Sequence, residues 1–128
     1  MLGTNTVSHL LRGHPVVVKR VVAKPIASLC VSAITVGELM FGLARRPEAR
    51  RLHLAVNEFL RRVDVLAWDG GTADHYGALR AKLESVGRSL GPLDMLIASH
   101  AKSVGAILVS SDKAFAGVTG LKVQDWTA

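Results

Sequence analysis

Only one cysteine, Cys30, occurs in 128 residues, which excludes an internal disulfide and fits a reducing cytoplasm. It lies in the apolar stretch Ser28-Leu-Cys-Val-Ser-Ala33 and reads as a small buried hydrophobe. Aromatic residues make up 5% of the chain, and Trp68 and Trp126 read as edge packing rather than as base-stacking platforms. The longest uncharged run lies between Lys24 and Glu38 and opens with a proline. It falls short of the roughly 18 apolar residues a membrane span needs. Met1-Leu2 leads straight into Gly-Thr-Asn, so no signal peptide is expected. The five histidines, at positions 9, 14, 53, 75 and 100, lack zinc-site spacing. Ser110-Ser111 lacks a nucleophile-elbow frame, and Gly70-Gly71 is followed by no Gly-Lys-Ser/Thr. Repeats and low-complexity tracts are absent, so residues 1–128 read as one domain.

What is present is an apolar, basic chain. Hydrophobic residues make up 49% and charged residues 20%, a balance that favours a packed core over disorder. Sixteen Lys and Arg against ten Asp and Glu give a formal charge of +6, which suits a polyanionic partner, nucleic acid or an acidic protein. Six arginines (Arg45, Arg46, Arg50, Arg51, Arg61 and Arg62) face only Glu48 and Glu58 over one stretch. That stretch is a binding face for such a partner or simply a solvated helix face.

The apolar pattern alternates short runs with amphipathic stretches, as in an α/β domain. Met1-Leu2 reads as a strand stub, and 4–11 as a helix stopped by Gly13. The Val-rich stretch 15–24 suits strand or helix, and His14-Pro15 favours helix. Strands are expected near 29–31, 63–67, 106–109 and 121–123. Helices are expected over 35–45, 48–63, 72–86 with Gly87 as stop, and from Pro92 to Gly105. This order implies a parallel, twisted sheet of four to five strands with right-handed crossovers and helices on both faces.

Three carboxylates share one kind of address. Glu38 is placed in the first turn of a helix after a strand, Asp94 in the first turn of the helix opened by Pro92, and Asp112 directly after the strand 106–109. Strand carboxyl ends lie along one edge of a parallel sheet, where ligands bind, and clustered carboxylates persist mainly by holding a cation or a proton. Each acid also has a local explanation. Glu38 completes a capping-box pattern with Thr35, Asp94 sits at the positive end of a helix, and Asp112 is placed to cap the turn 113–115. Spacing alone leaves both readings open.

Five segments carry a resemblance to a known family. Met1-Leu-Gly-Thr-Asn-Thr6 resembles the opening of VapC-type toxins of the PIN-domain ribonuclease family, where a short strand ends in Asp-Thr-Asn. Ala33-Ile-Thr-Val-Gly-Glu-Leu-Met-Phe-Gly42 resembles the family's second motif, with its glutamate at Glu38. Pro92-Leu-Asp-Met-Leu-Ile-Ala98 resembles the third, with its aspartate at Asp94. Val109-Ser-Ser-Asp-Lys-Ala-Phe115 and Gly120-Leu-Lys-Val-Gln-Asp-Trp126 resemble the ending, with the fourth acid at Asp112. The resemblance runs the length of the chain in the family's order. It implies a PIN domain over 1–128 and a Mg²⁺- or Mn²⁺-dependent endoribonuclease that cleaves RNA. Asp94 and Asp112 would hold metal, Glu38 would coordinate or activate water, and Asn5 would be a retained polar residue of the site. It also implies a cytoplasmic toxin, a homodimer, a toxin–antitoxin hetero-oligomer with an acidic antitoxin, and operator DNA reached only through that antitoxin.

The match has one gap. The family's first acid falls on Gly3, which offers no ligand, so the resemblance implies a weakened nuclease. A non-catalytic PIN-fold module, acting only through its antitoxin and operator complex, is the alternative. A receiver-like regulator fits less well, because the acids follow the nuclease motifs. Binding of Mn²⁺ without response to a phosphate analogue separates the nuclease scaffold from the receiver.

Overall fold

The structure is a computed structural model that describes residues 1–128. Helix α1 (Thr4–Leu11) ends at Arg12, and Gly13 turns the chain with φ +76°, a value that favours glycine. The next stretch is helical despite its β-branched valines: α2 (Pro15–Val22) has proline in its first turn, and His14 Nδ1 accepts the Val17 amide at 3.3 Å. Such a start satisfies amides that would otherwise lack partners. Strand β1 (Cys30–Ser32) runs directly into α3 (Ala33–Ala44), whose N-cap Ser32 accepts the Ile34 amide at 3.1 Å. Helix α4 (Arg50–Arg62) buries Val56 and exposes its arginines. Strand β2 (Asp64–Leu66) precedes α5 (Gly70–Ser85), capped by Asp69, and α6 (Pro92–Ser103) opens on proline. Strands β3 (Leu108–Val109) and β4 (Val123–Gln124) complete the chain, with a tight helical turn (Lys113–Phe115) between them.

Strands β1 and β2 pair in parallel, with Val31 opposite Val65, and β3 and β4 pair in parallel, with Leu108 opposite Val123. Between the two pairs lies Met1–Gly3. On one side the Leu2 amide donates to the Cys30 carbonyl at 2.8 Å. On the other, the Gly3 amide donates to the Val109 carbonyl at 2.9 Å, and Leu2 bridges Val109 in parallel. The fold thus carries two short parallel pairs where the sequence implies one sheet of four to five strands. Two or three residues per strand leave room for few ladder bonds, and the chain bends into helices and turns at once.

Helices cover both faces, and two cores result. Leu79 and Leu83 of α5 meet Met95, Ile97, Ala98 and Ala101 of α6, together with Leu108 and Phe115. Leu2, Val7, Val31, Leu39, Val56 and Trp126 pack on the other side. Burial of Trp126 bears out packing over base stacking, while Cys30 is only partly buried. No helix is long and apolar enough to cross a membrane.

Candidate active site

A cavity of about 120 Å³ opens beside the starts of α1 and α6, the second turn of α3 and the end of β3. Its wall includes Gly3, Asn5, Glu38, Asp94, Ser110 and Asp112. The structure therefore brings together every residue singled out from the sequence, although Glu38 and Asp112 are 74 positions apart. Residues just past strand ends converge because parallel strands share one carboxyl edge.

Each carboxylate is oriented differently. Glu38 lies in the second turn of α3, a turn deeper than the sequence pattern places it, because α3 already begins at Ala33. Its Oε1 accepts the Thr4 hydroxyl at 2.8 Å, and Thr4 also lies 3.3 Å from the Thr35 hydroxyl. The capping-box reading of Glu38 thus gives way to a link between α1 and α3. Asp94 sits in the first turn of α6, half-buried. Burial raises its pKa above the ordinary carboxylate value, with smaller upward pushes from Asp112 and then Glu38. Asp112 Oδ1 accepts the Ala114 amide at 2.9 Å, so its capping role is real, and it faces the cavity as well. Asn5 is exposed on the rim. Gly3 is buried with φ −72° and ψ 165°, extended backbone open to any residue. A Cβ added there would meet the Val109 carbonyl oxygen at 3.0 Å and the Ser110 Cβ at 3.6 Å.

The donor set is all oxygen, and no Lys or Arg lines the cavity, a composition that fits a hard divalent cation. In the chain alone, no three His, Cys, Asp or Glu side chains stand close enough to hold an ion among them. Like charges repel, and Glu38 and Asp112 each accept a hydrogen bond from a protein donor.

Two contributors escaped the sequence reading. Thr4 looked like helix sequence, and only the fold reveals its hydroxyl on Glu38. Ser110 is buried, accepts the Asp112 amide at 3.1 Å and lines the cavity. His100, which the sequence distinguishes only by its lack of zinc-site spacing, is buried, because α6 is covered on several sides. None of the six arginines lines the cavity and all are exposed, although Arg46 lines an adjoining pocket that shares Thr4 and Glu38.

Comparison with known proteins bears on the family and the fold. The model of the PIN domain matches residues 1–121. The tRNA(fMet)-specific endonuclease VapC of Shigella flexneri is 34% identical over 128 residues, covering 99% of this chain and 97% of that protein. Ribonuclease VapC2 of Haemophilus influenzae is 33% identical over 127 residues, covering 98% and 96%. Among solved structures, DNA-bound VapBC from Salmonella typhimurium superposes with TM-score 0.90 at 32% identity, covering 98% of this chain and 96% of that one.

Proposed function

The chain belongs to the PIN-domain family, and from that membership we propose that it is the VapC-type toxin of a toxin–antitoxin pair, an endoribonuclease weakened at Gly3. The observation that carries the reading is the convergence of Glu38, Asp94 and Asp112 on one cavity with no basic side chain on its wall. We read residues 1–128 as one PIN domain. The two strand pairs and the segment joining them act as a single parallel sheet, a view supported by the hydrogen bonds of Leu2 and Gly3 to both sides.

Asp94 and Asp112 would hold a Mg²⁺ or Mn²⁺ ion, with Glu38 as a further ligand or as the group that orients water. Such an ion supplies charge neutralisation at the phosphoryl group and a more acidic bound water. The protein's own work is positioning. Thr4 holds Glu38 in place, the Ala114 amide holds Asp112, and Asn5 on the rim is placed to meet substrate. Exposed arginines of α4 would contact RNA phosphates without reading bases. Among the relatives, VapBC of Salmonella typhimurium is a complex bound to DNA. By analogy this chain pairs with an antitoxin, and its +6 charge suits an acidic one. A basic side chain from that partner, inserted among the carboxylates, would occupy the place of the ion. A homodimer, a cytoplasmic site of action, and operator DNA reached through the antitoxin complete the proposal.

Gly3→Asp tests it. The added Cβ needs the Val109 carbonyl to give by a few tenths of an ångström, and the extended backbone imposes no other strain. Cleavage of RNA in Mn²⁺ should rise by orders of magnitude, since site residues act as a unit. Adding Asp94→Asn, or an acidic cognate antitoxin, should silence it again. A folded Gly3→Asp protein that cuts neither structured nor single-stranded RNA would leave only the alternative, a non-catalytic module.

A further inference from the structure

We propose that His100 is a positioning residue for the carboxylate cavity: by holding Ser32 it fixes α3, which carries Glu38, against α6, which carries Asp94. The inference rests on the nuclease reading above and gives a role to a buried group that the reading leaves unused. His100 is 1% exposed and its Nδ1 lies 2.7 Å from Ser32 Oγ. Ser32 is fully buried, and its oxygen already accepts the Ile34 amide at 3.1 Å. A hydroxyl has one proton to give. With the Ser32 hydroxyl as donor to Nδ1, the imidazole is neutral and its own proton is on Nε2.

Nε2 makes no hydrogen bond. An apolar side chain of similar size would fill the space but leave the buried Ser32 hydroxyl without this partner. Other groups acting on the ring are Asp69, at the cap of α5, and the Ala67 carbonyl, which biases the charge without completing a hydrogen bond. Burial outweighs both and lowers the ring's pKa below the ordinary histidine value.

The placement is what links this contact to the site. Ser32 precedes Glu38 by six residues on α3, and His100 follows Asp94 by six on α6. The two helices pack together, with Ser32 beside His100 at one level and Glu38 and Asp94 on one cavity at the next. They therefore run antiparallel here, and the tie sits at the same depth below both carboxylates. Glu38 pushes up the Asp94 pKa, so repulsion acts to spread the helices. The buried hydrogen bond opposes that spreading.

The test uses the full chain in a Gly3→Asp background, comparing His100→Leu with His100→Asn, whose amide oxygen can still accept from Ser32. Amide hydrogen exchange at Ile34 and Thr35 should quicken in His100→Leu and recover in His100→Asn. The Mn²⁺ Kd should rise by about 10- to 100-fold in the leucine variant, with kcat for RNA falling and KM held, and both should recover with asparagine. Imidazole ¹⁵N spectra of the parent should show Nδ1 unprotonated; a proton there overturns the proposal. Should His100→Leu not fold, Ser32→Ala removes the same hydrogen bond together with the cap on the Ile34 amide, and is read by the Mn²⁺ Kd and kcat alone. Faster exchange with unchanged Mn²⁺ affinity and kcat makes His100 merely structural and overturns the proposal, as does unchanged exchange. A Gly3→Asp parent that neither binds Mn²⁺ nor cuts RNA sinks the nuclease reading and this proposal with it. An active parent unaffected by His100→Leu sinks this proposal alone.

Discussion

Asp94 sets two effects against each other. Its position in the first turn of α6 favours a negative charge by about 0.3–1 kcal/mol. Burial, Asp112 and Glu38 disfavour that charge and leave the pKa raised. A carboxyl whose folded pKa lies above its unfolded one stabilises the fold while protonated, and that contribution is lost as pH rises through the folded value. At neutral pH the charged form is therefore a cost. Asp94→Asn should raise the melting temperature modestly at pH 7, and the gain should shrink as pH falls towards 4. A melting temperature lowered at pH 7 would show that the helix-end effect dominates. His100 has the opposite sense. Its lowered pKa stabilises the neutral ring above the ordinary histidine value of 6.5, so its contribution is lost as pH falls below that value.

At the scale of elements, α5 and α6 form the most closely packed pair of helices, through Leu79 and Leu83 against Met95, Ile97 and Ala98. Leu79→Ala, at a site 2% exposed, should cost about 2–5 kcal/mol in urea unfolding, and a loss below about 1 kcal/mol would show that the helices repack. The helices were the legible part of this fold. Gly13 and Gly87 mark stops that the structure confirms with positive φ, and the periodic leucines of α5 point inward as their spacing implies. Strands were less legible, because two-residue elements such as β3 and β4 carry no alternation to read. Ile107, expected inside a strand, is 40% exposed and precedes β3. The strand expected over 121–123 begins at Val123. Of the cavity residues, the acids were visible because charge is conspicuous at strand-to-helix junctions. Thr4 was not, since its role depends on a partner 34 positions away that only the fold supplies, and the same holds for His100 behind the cavity, whose partner is 68 positions away.

Over the whole molecule, the strip Met1–Gly3 has a consequence for the order of events in time. It sits between the two strand pairs, and the amino group of Met1 donates to the Ile107 carbonyl, 106 positions along the chain. A ribosome adds about 5–20 residues per second, so the first residues made wait roughly 5–20 seconds for the partner that closes their second side. During that interval Glu38 is present while Asp112 has not been synthesised, and no folding of the earlier segments can assemble the full set of carboxylates. Chains stalled near residue 100 should be cut readily by protease and bind no Mn²⁺, whereas chains released at full length should resist; protection of the stalled chains would show that the early half folds without its late partner. A nuclease arranged in this way comes into being only once its late strand and Asp112 have been made, and is harmless to the message that encodes it until that stretch has been read.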